Sequence, residues 1–171
     1  MKPMKPIVTL LLSLSVMAFS HAEERVDRVE PWTLNDQFDQ PYRFDASERV
    51  LLIAASNGAA KLVDDAIKNK PQGWLAERQV TYVADITHVP RLVANRVLVP
   101  SMRSASYRIL LDREGEVASR YVEDRKPVLW LTLDNGRIAE RQRFDSSDAL
   151  RLSLESLELD ASRAHPQTAT D

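Results

Sequence analysis

Cysteine is absent from this chain. No disulfide can staple the fold, no thiolate can attack a substrate or hold a metal, and every element must be kept in place by packing. Other absences narrow the field further. No Gly-rich dinucleotide fingerprint follows a strand, and no pair of helices suited to a DNA groove is visible. Internal repeats and low-complexity tracts are lacking too. Basic residues are not concentrated: the formal net charge is −2, which argues against a nucleic-acid partner, whose phosphates require a basic face. Histidine is scarce, at three residues.

What is present begins with a leader. Lys2 and Lys5 precede an apolar stretch from Ile7 to Phe19, and Ser20 and Ala22 occupy the small-residue positions of a cleavage site. This reads as a secretory signal peptide over residues 1–22. The stretch is too short for the ~20 apolar residues of a spanning helix, and EERVDR follows it at once. No membrane insertion is expected after cleavage. The chain is expected in the periplasm, as a single domain over residues 23–160 with a flexible tail over 161–171.

The body divides by hydrophobic period. WTLNDQFDQPYRF, from Trp32 to Phe44, alternates around a polar turn and predicts a small hairpin. Val50 to Ala55 is a continuous apolar run and predicts a central strand. A helix follows over 59–70, with Ala59, Leu62, Val63, Ala66 and Ile67 on one face. Gln79 to Ile86 predicts a second strand. Residues 88–98 predict a helix ended by Pro100, with Leu92, Val93 and Val97 inward. Two strand–turn–strand units are expected next, Tyr107 to Val122 and Pro127 to Phe144, the second turning at Asn135-Gly136. SSDALRLSLESLEL predicts a last helix with Leu150, Leu154 and Leu157 on the sheet. Trp32, Trp74 and Trp130 are expected in the core. The order predicts an α/β sandwich, a central mixed sheet flanked by helices, with an N-terminal β-hairpin extension.

Three stretches, taken in order, resemble the thioredoxin-like superfamily, nearest its peroxiredoxin and thiol–disulfide reductase branch. Trp32 to Gln37 is similar to the opening strand and turn, VLLIAASNGAAK to the first main strand and active-site turn, and PVLWLTLDNGRI to the cis-proline strand with its hairpin. The layout also resembles the cysteine-free, uncharacterised YtfJ-type bacterial periplasmic proteins. The resemblance implies a thioredoxin-like three-layer sandwich. It places Asn57 and Ala60 where the two cysteines of a C-x-x-C site would stand, and it implies a cis peptide bond before Pro127. Without cysteine, thiol–disulfide reductase and peroxidase activity are excluded, and no cofactor is implied.

The candidate binding residues are therefore Ser56, Asn57, Gly58 and Pro127, at a strand-to-helix bend that offers side-chain acceptors and free helix N–H groups. Asn57 is the first choice for the helix cap. Asp85 and His88, in DITH, form a candidate proton-transfer pair, though no serine stands out as a nucleophile. Asp85 could equally cap the next helix. A zinc centre would need Asp85, His88 and a distant acid such as Asp124, and nothing in the spacing demands one. The run Glu123 to Lys126 reads as a solvated loop or a charged recognition element. Arg91, Arg96, Arg103 and Arg108 offer an anion-attracting rim. Three functions fit: a non-redox protein binding a peptide or protein near Asn57 and Pro127, a cysteine-independent hydrolase or other enzyme using Asp85 and His88, and a structural envelope accessory.

Overall fold

The computed structural model describes residues 27–164. The expected leader and residues 165–171 lie outside them. Seven strands form one mixed sheet in the order β2-β1-β5-β4-β3-β6-β7. They are β1 (Thr33–Asp36), β2 (Pro41–Arg43), β3 (Val50–Ala54), β4 (Val80–Asp85), β5 (Leu110–Asp112), β6 (Val128–Asp134) and β7 (Arg137–Phe144). β3, β4 and β5 run parallel, while β6 is antiparallel to β3 and the β1–β2 hairpin is antiparallel to β5.

All five residues of β3 are buried, because the strand is covered on both faces and its side chains alternate between them. Val50, Leu52 and Ala54 pack with helix α1 (Asn57–Ile67) and helix α5 (Ser147–Ala164), through Ala59, Val63, Leu150 and Leu154. Leu51 and Ile53 face the opposite layer, made of Trp32, Leu34, Val117 and Tyr121. Trp130 and Trp74, the latter in the short helix α2 (Trp74–Glu77), belong to the α1 side; all three tryptophans are buried, as expected. The β6–β7 hairpin turns at Asn135 and Gly136 with φ of 50° and 78°, the positive pair that a two-residue turn requires.

Two elements differ from expectation. Tyr107 to Val122 is not a hairpin. β5 is followed by a turn and a short helix, α4 (Ala118–Tyr121). The cause is Asp112, fully buried, whose carboxylate accepts hydrogen bonds from the N–H groups of Glu116, Val117 and Ala118 at 2.7, 2.9 and 2.8 Å. Those donors are drawn into a helical turn and cannot form a ladder.

The second is helix α3. It begins at Arg91 and passes Pro100, running through Arg91–Val93, a π-helical segment Ala94–Leu98, and Val99–Met102. Proline lacks an N–H and its ring collides with the carbonyl four residues back; here the wide turn lies immediately before it. The wide turn, in which the Val99 N–H reaches the Ala94 carbonyl, shifts the helical phase. Ala94 and Val99 face the core, while Leu92, Val93 and Val97 are exposed.

Candidate functional site

The bend after β3 starts α1. Ser56 has extended backbone, and its Oγ accepts from the Ala59 N–H at 3.2 Å. Ser56 is therefore the cap, not Asn57. Asn57 occupies the first helical position, is exposed, and its Oδ1 lies 3.1 Å from Nε2 of His88. Gly58 has no positive φ, and a Cβ there would meet only Ser56 Oγ, at 3.8 Å. Local geometry does not demand this glycine, which is exposed at the second position of α1.

Asp85 and His88 do not form a pair. Asp85 is buried at the end of β4 and accepts from the Thr87 N–H and the Thr87 hydroxyl, at 2.9 and 2.6 Å. It also meets Nη2 of Arg125 at 2.8 Å. Two residues on, Thr87 closes an Asx-type turn that takes up the carboxylate, and Arg125 compensates its buried charge. Nor does Asp85 cap the next helix, since α3 starts after Pro90 with no side-chain cap.

The run before Pro127 is a set of structural ties. Glu123 pairs with Arg143 at 2.9 Å, Asp124 accepts from the Lys126 N–H at 3.0 Å, and Arg125 reaches Asp85. Arg125 is the residue that sequence reasoning missed as part of this end of the molecule; its only signal was a charge run whose partner lies forty residues upstream. Pro127 is buried and immediately precedes β6. Its preceding peptide bond is trans, so the cis expectation is corrected. Proline at the mouth of a strand donates no ladder bond and needs no special isomer there.

The register brings these residues to one edge. Ala54 pairs with Val128 on one side and with Ala84 on the other. Ser56, Asn57 and Gly58 therefore leave the sheet beside Pro127, and His88 arrives from the next strand. This is the carboxyl edge of β3 and β4, where open α/β sheets place ligands. Among the described residues, no group of three histidine, aspartate or glutamate side chains gathers as a metal would require. Three cavities are lined by none of Ser56, Asn57, Gly58 or Pro127. Two of the four arginines of the expected rim, Arg91 and Arg103, line one cavity of about 710 Å3 together with Arg113. Arg108 instead borders another of about 910 Å3, which Arg103 also reaches.

No family model matches the sequence, and neither does any curated protein. Solved structures do match. The peroxidoxin BcpB of Mycobacterium tuberculosis is 20% identical, with a TM-score of 0.53 over 78% of this chain and 95% of its own. The pneumococcal exposed lipoprotein thioredoxin of Streptococcus pneumoniae is 16% identical, with a TM-score of 0.50 over 74% of this chain and 99% of its own. At these identities the likeness concerns the fold, and the fold is thioredoxin-like. The chain carries it with no cysteine.

Proposed function

We propose that this chain is a non-redox thioredoxin-like protein of the periplasm that binds a peptide or protein partner at the edge carrying Ser56, Asn57, Gly58, His88 and Pro127. The observation that carries this reading is the exposed Asn57–His88 contact of 3.1 Å, at the bend where the sequence resemblance puts a dithiol. The Asn57 amide and the His88 ring keep donor and acceptor capacity beyond their mutual bond. Beside them the start of α1 offers the backbone N–H groups of Asn57 and Gly58, those of Ala59 and Ala60 being taken by Ser56. Such a surface suits an extended partner chain better than an enclosed small molecule. The enzyme reading loses its support, because Asp85 is committed to Thr87 and Arg125 and does not orient His88.

The test is capture from envelope extract on immobilised protein, followed by titration of whatever is retained. Wild type is expected to retain a saturable partner. The double variant Asn57→Ala/His88→Ala is expected to bind it about tenfold more weakly, the scale of losing one good interface contact, with an unchanged thermal melt. Equal retention by both proteins sinks the site assignment. Absence of any saturable partner favours the structural accessory.

A further inference from the structure

The cavity of about 710 Å3 lies beyond the ends of β4 and β5, under α3, and shares no residue with the edge just described. It is a groove open to solvent, and its volume falls within the range of small-molecule sites. Ile86, Ala94 and Val99 supply apolar wall. Ala94 and Val99 are five residues apart, a spacing that does not share a face in a regular α-helix. The π turn of α3 brings both to the cavity. Turns of this kind recur at functional sites.

The polar side of the cavity is cationic. Arg91, Arg103 and Arg113 are set against two acids, Asp39 and Glu114, which leaves one positive charge in excess. Glu114 takes Arg91 at 2.8 Å. The other two guanidinium groups are aimed from elsewhere. Arg103 Nε donates to the Gln37 carbonyl at 2.9 Å, and Arg113 Nη1 donates to Asn95 Oδ1 at 2.9 Å. Both converge on the single carboxylate of Asp39, at 3.5 and 3.7 Å. These are ion-pair distances, longer than the ~2.7–2.9 Å of a charge-assisted hydrogen bond. Asp39 reaches them from the tip of the β1–β2 turn, where its own φ is 60°. One carboxylate therefore stands loosely held between two guanidinium groups.

We propose that this cavity binds a small carboxylic acid with an apolar body, whose carboxylate displaces Asp39 from the Arg103–Arg113 fork while its apolar end lies against Ile86, Ala94 and Val99. Asp39 is then an internal competitor that holds the site in the absence of ligand.

The probe is N-acetyl-leucine, titrated into the full chain at low salt by calorimetry and amide NMR, with N-acetyl-leucinamide as the uncharged match. The acid is expected to bind saturably and at least about tenfold more tightly than the amide, as loss of a bond to a charged group dictates. Its chemical shifts are expected at Thr87, Asn95 and Arg113. Asp39→Asn keeps a residue that tolerates positive φ and removes the competitor. It is expected to tighten binding about two- to fivefold, the equivalent of one exposed ion pair. Arg103→Gln with Arg113→Gln is expected to abolish binding, and Arg96→Gln, on the same helix but outside the cavity, to leave it unchanged. Equal binding of acid and amide, or an Asp39→Asn variant that binds no better, overturns the proposal. So do shifts confined to Asn57 and His88. Inorganic phosphate binding as tightly as the acid overturns its apolar half. If the double arginine variant fails to fold, the rise or absence of a rise with Asp39→Asn still decides.

Discussion

A fully buried carboxylate is costly unless its oxygens are filled, and Asp112 fills them with three backbone N–H groups. Asp112→Ala leaves those donors without their acceptor at the start of α4. The expected loss is about 3 kcal/mol or more in urea unfolding. Asp112→Asn keeps an acceptor oxygen and is expected to lose less than half as much. Equal, small losses in the two variants would show that the N–H groups find other partners. The same three bonds explain why the DREGE segment is not the hairpin turn that its composition resembles. An acidic residue before a glycine looks like a hairpin turn, and Gly115 does take a positive φ of 74°. Composition cannot show that the aspartate folds back on the N–H groups following that glycine. Similar competition decided the candidate site. Ser56 and Asn57 are both good caps by type; Ser56 takes the role from extended backbone, and Asn57, one residue into the helix, meets His88 instead. Asp85 and His88 lie close in sequence, but Thr87 is closer to Asp85 and carries both an N–H and a hydroxyl.

At the level of elements, the legible pieces were those whose burial matches their period. β3 is covered on both faces and reads as an unbroken apolar run, and β4, buried throughout, departs from one only at Thr81 and Asp85. The β6–β7 hairpin announced its turn through Asn135-Gly136, and Leu150 and Leu154 marked the buried stripe of α5. Helix α3 defeated the same reasoning because a π turn breaks the 3.6-residue period within it. Leu92 and Val97, expected inside, are 66% and 63% exposed, whereas Val99 is 3% exposed. Leu92→Ser and Val97→Ser are therefore expected to change stability by no more than about 0.5 kcal/mol, as for surface positions. Val99→Ala is expected to cost about 1–3 kcal/mol, since it removes buried methyl groups and leaves a void. Chemical denaturation of the three variants checks the helix phase directly. The opposite ranking would mean a regular α-helix ending at Pro100.

Across the whole molecule, one sheet separates two apolar layers, and the four tyrosines report on how tightly these layers and their margins are closed. Burial raises the phenol pKa of each. Tyr42 is pushed up to about 12 by its burial and then by its bond to Glu48. Tyr82 is raised by burial and by the charge of Asp64; Tyr107 by burial and by its 2.8 Å hydrogen bond to that same carboxylate. Tyr121, under the N-terminal segment, is raised chiefly by burial. In an unfolded chain all four ionise near 10. Between that pH and the higher native values, the unfolded state has released protons that the folded state still holds. The slope of unfolding free energy with pH is then negative. The contribution of these groups is complete below about pH 10 and is lost as pH climbs through the folded values. Phenolate absorbance near 295 nm, recorded with far-ultraviolet circular dichroism, is expected to show little ionisation while helix content is intact. A steep rise should then coincide with unfolding. Four tyrosines titrating smoothly near pH 10 with unchanged dichroism would mean that both layers admit water, and the packing of Tyr82 against Tyr107, ring centroids 6.2 Å apart, would have to be abandoned along with the closed core beneath α1.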